Sequence, residues 1–153
     1  MPKAIPEGLH TVTPQLNIDG CAEALAFYQK AFGAEETSRA MDPSGKKIWH
    51  ASMRIGNSTL FLNDVFPDMG SKPTEARLWV YVDGVDAAFK RAVDAGCKVE
   101  MPLADMFWGD RMGALKDRWG NQWMLSQHVK DMSPEEMKKA GEAMAKEWAA
   151  KKQ

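Results

Sequence analysis

At 153 residues, 44% of them apolar, the chain can bury a sizeable core, either in one domain or in two small halves that share it. A net charge of −1, with both signs spread along the length, excludes a basic nucleic-acid stripe and an acidic tail. No apolar run approaches the roughly 18–20 residues of a membrane helix, the start lacks the apolar stretch of a signal peptide, and two cysteines cannot build a disulfide framework. A reducing, cytoplasmic compartment is therefore expected.

Residues 1–10, with two prolines and a glycine, read as an irregular lead-in. From Thr11 to Ile18 apolar and polar residues alternate, which predicts a half-buried strand. Pro14 cannot donate to a ladder and places this strand at an edge or a subunit boundary. Cys21 to Phe32 has helical spacing and stops at Gly33, and Glu35 to Met41 forms a further strand. After the turn Asp42-Pro43-Ser44-Gly45, the strands Lys46–Ile55 and Ser58–Asp64 form a hairpin about Gly56-Asn57. Val65 to Thr74 is the linker. Then come a strand at Arg77–Val82, a helix at Val85–Ala95, and a strand starting at Cys97–Met101. Pro102–Gly109 reads as a loop, Arg111–Lys116 as a strand, 117–120 as a turn and Asn121–Val129 as the last strand. Ser133-Pro134-Glu135-Glu136 opens a final helix, with Ser133 as cap and Glu136 completing a capping box. Its stripe of Met137, Ala140, Met144 and Trp148 is expected to pack on the domain or on a second subunit.

The two halves are copies. A shift of 64 positions places Gly45 on Gly109, Arg54 on Arg118, Gly56 on Gly120 and Asn57 on Asn121, and sets Ile18-Asp19-Gly20 on Val82-Asp83-Gly84. Each copy reads strand–helix–strand–strand–strand, so neither buries its faces alone. The expected fold is α+β. Two βαβββ modules form a curled mixed sheet, a cup with helices outside, and a C-terminal helix follows. Residues 1–132 form one domain of two repeats, about 11–64 and 75–128, and 133–153 are a helical extension.

This plan resembles the vicinal oxygen chelate superfamily of glyoxalases, bleomycin resistance proteins and dioxygenases. Phe107-Trp108-Gly109-Asp110-Arg111 and Asp117-Arg118-Trp119-Gly120-Asn121-Gln122-Trp123 look most like its PhnB-like branch, as do His50-Ala51, Arg54-Ile55-Gly56-Asn57 and the Ser133 extension. The resemblance implies a homodimer. It also implies a divalent ion held by His and Glu at four strand positions in metal-dependent members. Those positions map here onto Thr13, Arg77, Met124 and Leu60, or a neighbour of Leu60 if the hairpin register differs by one. None supplies a ligand, and Arg77 is cationic, so no metal ligand and no cofactor are expected. A rebuilt divalent site remains the lesser alternative.

Parity assigns Ala51, Met53 and Ile55 to the core and His50, Ser52 and Arg54 to the cup. In the last strand Trp123 and Leu125 go inward, leaving Gln122, Met124, Ser126 and His128 for the cup, with Asp64 at the repeat position of His128. The candidate ligand-binding residues are Gln15, His50, Asn63, Arg77, Trp79, Tyr81, Trp108, Arg111 and Met124. They offer aromatic faces for stacking and guanidinium groups for a carboxylate or phosphonate. Asp110 and Arg111 read equally as an ion pair fixing their loop, and Trp108 as interface packing. Trp119 and Trp123 read as core. His50 is the one candidate general base, and Cys21, at a helix start, is a thiol that is either activated or simply buried.

The function expected is binding of a small organic molecule in the cup without the family metal. The alternatives are a metal-dependent or His50-based glyoxalase-type lyase or isomerase or a dioxygenase-like enzyme, and an interaction protein that uses the last helix. Nucleic acid and membrane are not expected partners.

Overall fold

The computed structural model describes residues 1–152. Its first half runs β1 (Gln15–Ile18), α1 (Cys21–Phe32), β2 (Glu35–Met41), β3 (Ile48–Ile55) and β4 (Ser58–Asp64). After a 3-10 turn at Pro67–Met69 the second half repeats the order as β5 (Arg77–Tyr81), α2 (Val85–Ala95), β6 (Lys98–Asp105), β7 (Asp110–Lys116) and β8 (Gln122–His128), and α3 (Pro134–Lys151) follows. Each half forms one four-stranded sheet, ordered β1-β4-β3-β2 and β5-β8-β7-β6. The fold is therefore α+β with two βαβββ modules and mixed sheets, since β1–β4 and β5–β8 run parallel and the other pairs antiparallel.

One strand assignment needs correction. The stretch expected as a loop from Pro102 continues β6 to Asp105. This strand is an edge, and its register slips between Met101 and Ala104, so the N–H that Pro102 lacks costs no ladder bond. Pro14 obeys the same rule. It sits just outside edge strand β1 and contributes only its carbonyl, to Phe61 N at 2.9 Å.

The helices pack on each other and on one face of each sheet, giving a single core that draws on both modules, from Leu16, Ile18 and Met53 to Phe89, Leu115 and Trp123. Arg91 of α2 donates to the carbonyls of Gln29 and Lys30 at 3.2 and 2.9 Å and so closes the C-terminus of α1. Gly113 lets Phe89 of α2 lie directly on β7. A Cβ there would lie 2.6 Å from the Phe89 ring.

The copies differ at their hairpins. Ile55 pairs with Ser58, so Gly56-Asn57 is a two-residue turn. In the second copy Lys116 pairs with Gln122, leaving 117–121 as a longer loop. That loop reaches into the first module. Trp119 meets Phe27 and Tyr28 edge-on at 5.6 and 5.9 Å and donates to Asp19 O at 3.0 Å, and Arg118 pairs with Glu23. Beneath it Asp117, 5% exposed, accepts from Tyr28 Oη at 2.6 Å, Trp123 Nε1 at 2.9 Å and the backbone of Trp119 and Asn121.

The tie between modules makes a direct prediction. Tyr28→Phe deletes the hydroxyl from a fully buried site and should cost about 1–3 kcal/mol. Urea denaturation should show a lower midpoint at unchanged slope.

Candidate functional site

Strand alternation decides which side chains leave the core. On β1 Leu16 and Ile18 are buried, so Gln15 and Asn17 point to the side of the first sheet that carries no helix. Asn63 joins them, accepting from Gln15 Nε2 at 2.7 Å and donating to Asn17 Oδ1 at 3.0 Å. Ala51 and Met53 are buried, and His50 faces the other way, half-buried with its ring edge-on to Phe61 at 4.7 Å. The first sheet thus presents a wall of amides with one imidazole.

The second sheet presents a different wall. Arg77, Trp79 and Tyr81 alternate with Leu78 and Val80, and they pair across to Gln122, Met124 and Ser126 on β8. Trp79 is 6.4 Å from Tyr81 and 6.2 Å from Trp108, giving three tilted rings in one trough. Arg111 lies on the opposite side. Its guanidinium is held by Asp86 at the start of α2, at 2.8 Å, and by Asp105 at 3.4 Å. It therefore joins sheet to helix instead of facing a ligand, and its carboxylate partners are these two, not Asp110.

Asp110 has its own cluster, which sequence reasoning missed. Its carboxyl, 2% exposed, accepts from Tyr81 Oη at 2.9 Å, Trp108 Nε1 at 3.0 Å and Ser126 Oγ at 3.2 Å, and meets His128 Nδ1 at 2.8 Å. Asp131 meets the other ring nitrogen at 2.8 Å. The aromatic residues and His128 were visible singly. Only the β7–β8 register, which sets Asp110 opposite His128, brings them together.

A cavity of about 640 Å³ runs along the bare edge of β5, lined by Trp79, Tyr81, Leu78, Val80, the lead-in at Gly8–His10 and the β3–β4 hairpin. Of the residues expected to bind ligand only Trp79 and Tyr81 reach it. Leu9 and His10 lie in a lead-in with no periodicity to flag them, and Val12 showed only as part of the alternating Thr11–Ile18 stretch.

A family profile matches residues 8–125. The chain belongs to the Glyoxalase/Bleomycin resistance protein/Dioxygenase superfamily. It is 40% identical over 138 residues to the uncharacterized protein Rv0887c of Mycobacterium tuberculosis (strain ATCC 25618 / H37Rv), covering 84% of this chain and 81% of that one. It is 28% identical to protein YjdN of Escherichia coli (strain K12), covering 75% and 93%. Among solved structures, protein PA1353 from Pseudomonas aeruginosa superposes with a TM-score of 0.62 at 26% identity over 79% of this chain and 99% of that one. TioX from Micromonospora sp. ML1 gives 0.63 at 22% over 81% and 100%.

The metal positions implied by the superfamily resemblance can now be placed by register. Trp79 pairs with Met124, and its counterpart Gln15 pairs with Phe61, so the copy of Met124 is Phe61 and not Leu60, which is buried in the core. Thr13, Phe61, Arg77 and Met124 offer a hydroxyl, a ring, a cation and a thioether, which do not fit a divalent ion. Among the described residues no group of three or more His, Cys, Asp or Glu side chains is placed to hold one.

The same one-residue slip corrects the pairing of Asp64 with His128. Asp64 Oδ1 accepts from the Gly20 and Cys21 amides at 3.1 and 3.0 Å at the start of α1, and Gln127 Oε1 accepts from those of Gly84 and Val85 at 3.1 and 3.0 Å at the start of α2. These two are the true copies, and both cap helices. Burial, then the nearby Asp64, pushes the Cys21 thiol up to about 12, which leaves it protonated and inert at neutral pH.

Around Asp110, burial alone would raise the carboxyl, but donors led by His128 and Tyr81 outweigh it and hold the group below its ordinary range. The bonds to Asp110 and then Asp131 raise His128 in turn. A base raised on folding adds stability that is complete below the ordinary histidine value and is lost as pH climbs through the raised one. Proton NMR of the His128 ring should show it titrating above the ordinary histidine value, and Asp110→Asn should move it down. His128→Gln should remove part of the fall in stability on the alkaline side of pH 6.5.

Gly109 is the hinge between this cluster and α3. It adopts φ 99, and a Cβ would lie 2.1 Å from Lys130 O. Gly109→Ala should therefore expel residues 129–132 and raise the protease sensitivity of α3 while the sheets stay folded.

Proposed function

We propose that this protein binds a small organic molecule against the helix-free faces of its sheets, without the superfamily metal, and that a second copy closes the site. The observation that carries this reading is the wall of Arg77, Trp79 and Tyr81, where exposed rings adjoin polar groups fixed by the sheet. Trp79 and Tyr81 are 44% and 61% exposed, a cost that a ligand or partner would offset. The amide wall of Gln15 and Asn63, with His50, is the complementary polar half. β5 is an edge with a bare outer side, which a homodimer would cover, whereas Thr74 of the linker already takes the outward N–H and C=O of Asn17 on β1.

Within the superfamily we place the chain in the PhnB-like branch, on its Phe107–Arg111 and Asp117–Trp123 motifs. Two free buried thiols suit a reducing, cytoplasmic setting, and among the described residues no helix is long and apolar enough to cross a membrane. His50-based catalysis is the weaker reading, because no carboxylate among the described residues orients its ring. His128 has both ring nitrogens engaged by carboxylates, which leaves neither free to take a proton from a ligand.

The neutral dye N-phenyl-1-naphthylamine tests the reading by its fluorescence on binding. It should brighten with the intact protein, and Trp79→Ala or Tyr81→Ala should weaken binding about tenfold, ~1.4 kcal/mol. No brightening, or equal brightening in both variants, rejects it. Elemental analysis of protein purified without chelator should find far less than one equivalent of nickel, zinc, manganese or iron, and a stoichiometric metal would overturn the metal-free part.

A further inference from the structure

The sheet register orders the second wall into rows. Arg77 pairs with Gln122, Gln122 with Lys116 and Lys116 with Lys98, so these four side chains lie in one line across all four strands on the helix-free face. Three of the four are cations, and none of the three is ion-paired among the described residues. Two carboxylates lie at this end of the sheet, Glu100, whose Oε1 accepts from Gln122 Nε2 at 2.9 Å, and Glu75, two residues before Arg77 and beside Gly120. Three positive charges against these two negative ones still leave this end of the sheet positive in a chain whose net charge is −1.

The next row, about 7 Å further along the strands, changes character completely. Trp79 pairs with Met124, Met124 with Ala114 and Ala114 with Met101. Every member is apolar, and two are thioethers whose unbranched chains adapt to irregular shapes. Beyond it the polar atoms are already engaged, because the Tyr81 and Ser126 hydroxyls donate to Asp110. Free polar capacity on this wall is thus confined to its cationic end.

We infer that the ligand is an amphipathic organic anion, with its carboxylate, sulfonate or phosphonate head on the Arg77–Lys116–Lys98 row and its flat apolar body on Trp79 and Met101, the exposed members of the apolar row. This rests on the binding reading above and names its ligand class. A cationic ligand would meet like charge at that end, and a neutral one would leave the row unused. A long polyanion has no basic surface to continue onto past the apolar row.

The test compares 2-naphthoate with 2-naphthol at pH 7, two probes of one shape and different charge, by quenching of tryptophan fluorescence in the full-length protein. Naphthoate should bind about tenfold more tightly, and raising sodium chloride from about 0.05 to 0.5 M should erase most of that advantage. In the Arg77→Gln/Lys116→Gln double variant the ratio of the two affinities should fall to about one. Equal affinities in the unmodified protein, or an advantage that survives both salt and the double substitution, overturn the anion assignment and leave the binding face intact. Failure of both probes to bind rejects the binding face and the anion assignment together.

Discussion

The buried carboxyl of Asp117 is the contact on which the arrangement of the two modules depends. It collects a phenol, an indole and two backbone amides from both halves of the chain. With Asp117 closing the loop that carries Trp119, the second module holds α1 of the first, and Arg91 of α2 reaches across to cap it. The helices then take up one face of each sheet and leave the other free. What the molecule can bind follows from that division, because every candidate residue except Arg111 and Trp108 is set on the free face by simple alternation.

The duplication had different consequences on the two sides of each sheet. Towards the helices the copies stayed alike, with Leu16 and Ile18 answering to Val80 and Val82, and Asp64 answering to Gln127 as a helix cap. Away from the helices they diverged, one to amides and the other to aromatic rings, thioethers and cations. A constraint shared by both copies, the need to cover a helix, preserved the first side. Nothing of the kind constrained the second, which is why the metal positions of the superfamily carry such dissimilar groups here.

Much of this was readable in the sequence, and the exceptions share a cause. Both long helices of the repeat begin and end where their spacing and glycines put them, and the inward and outward parity of Ala51, Met53, Trp123 and Leu125 follows from period two alone. What failed was register. Matching glycines made the two hairpins look equal, yet one turns in two residues and the other in a longer loop, which selects Phe61, the neighbour of Leu60, and sets Gln127 where His128 was expected. A slip of one residue reverses every side chain beyond it. The Asp110 cluster and the Asp86–Arg111 pair were invisible for a related reason, since they join residues that only the strand pairing or the docking of α2 makes neighbours.

The unequal hairpins also bear on how this chain can evolve. A single module that doubles itself begins as two exchangeable parts, and either could once have served as its own partner. Here the first copy has the helix that receives Trp119 and Arg118, while the second has the loop that delivers them. Two first copies would lack the loop, and two second copies would lack Tyr28 as its receiver. The halves have become lock and key to each other, and the path back to a self-pairing single module is closed.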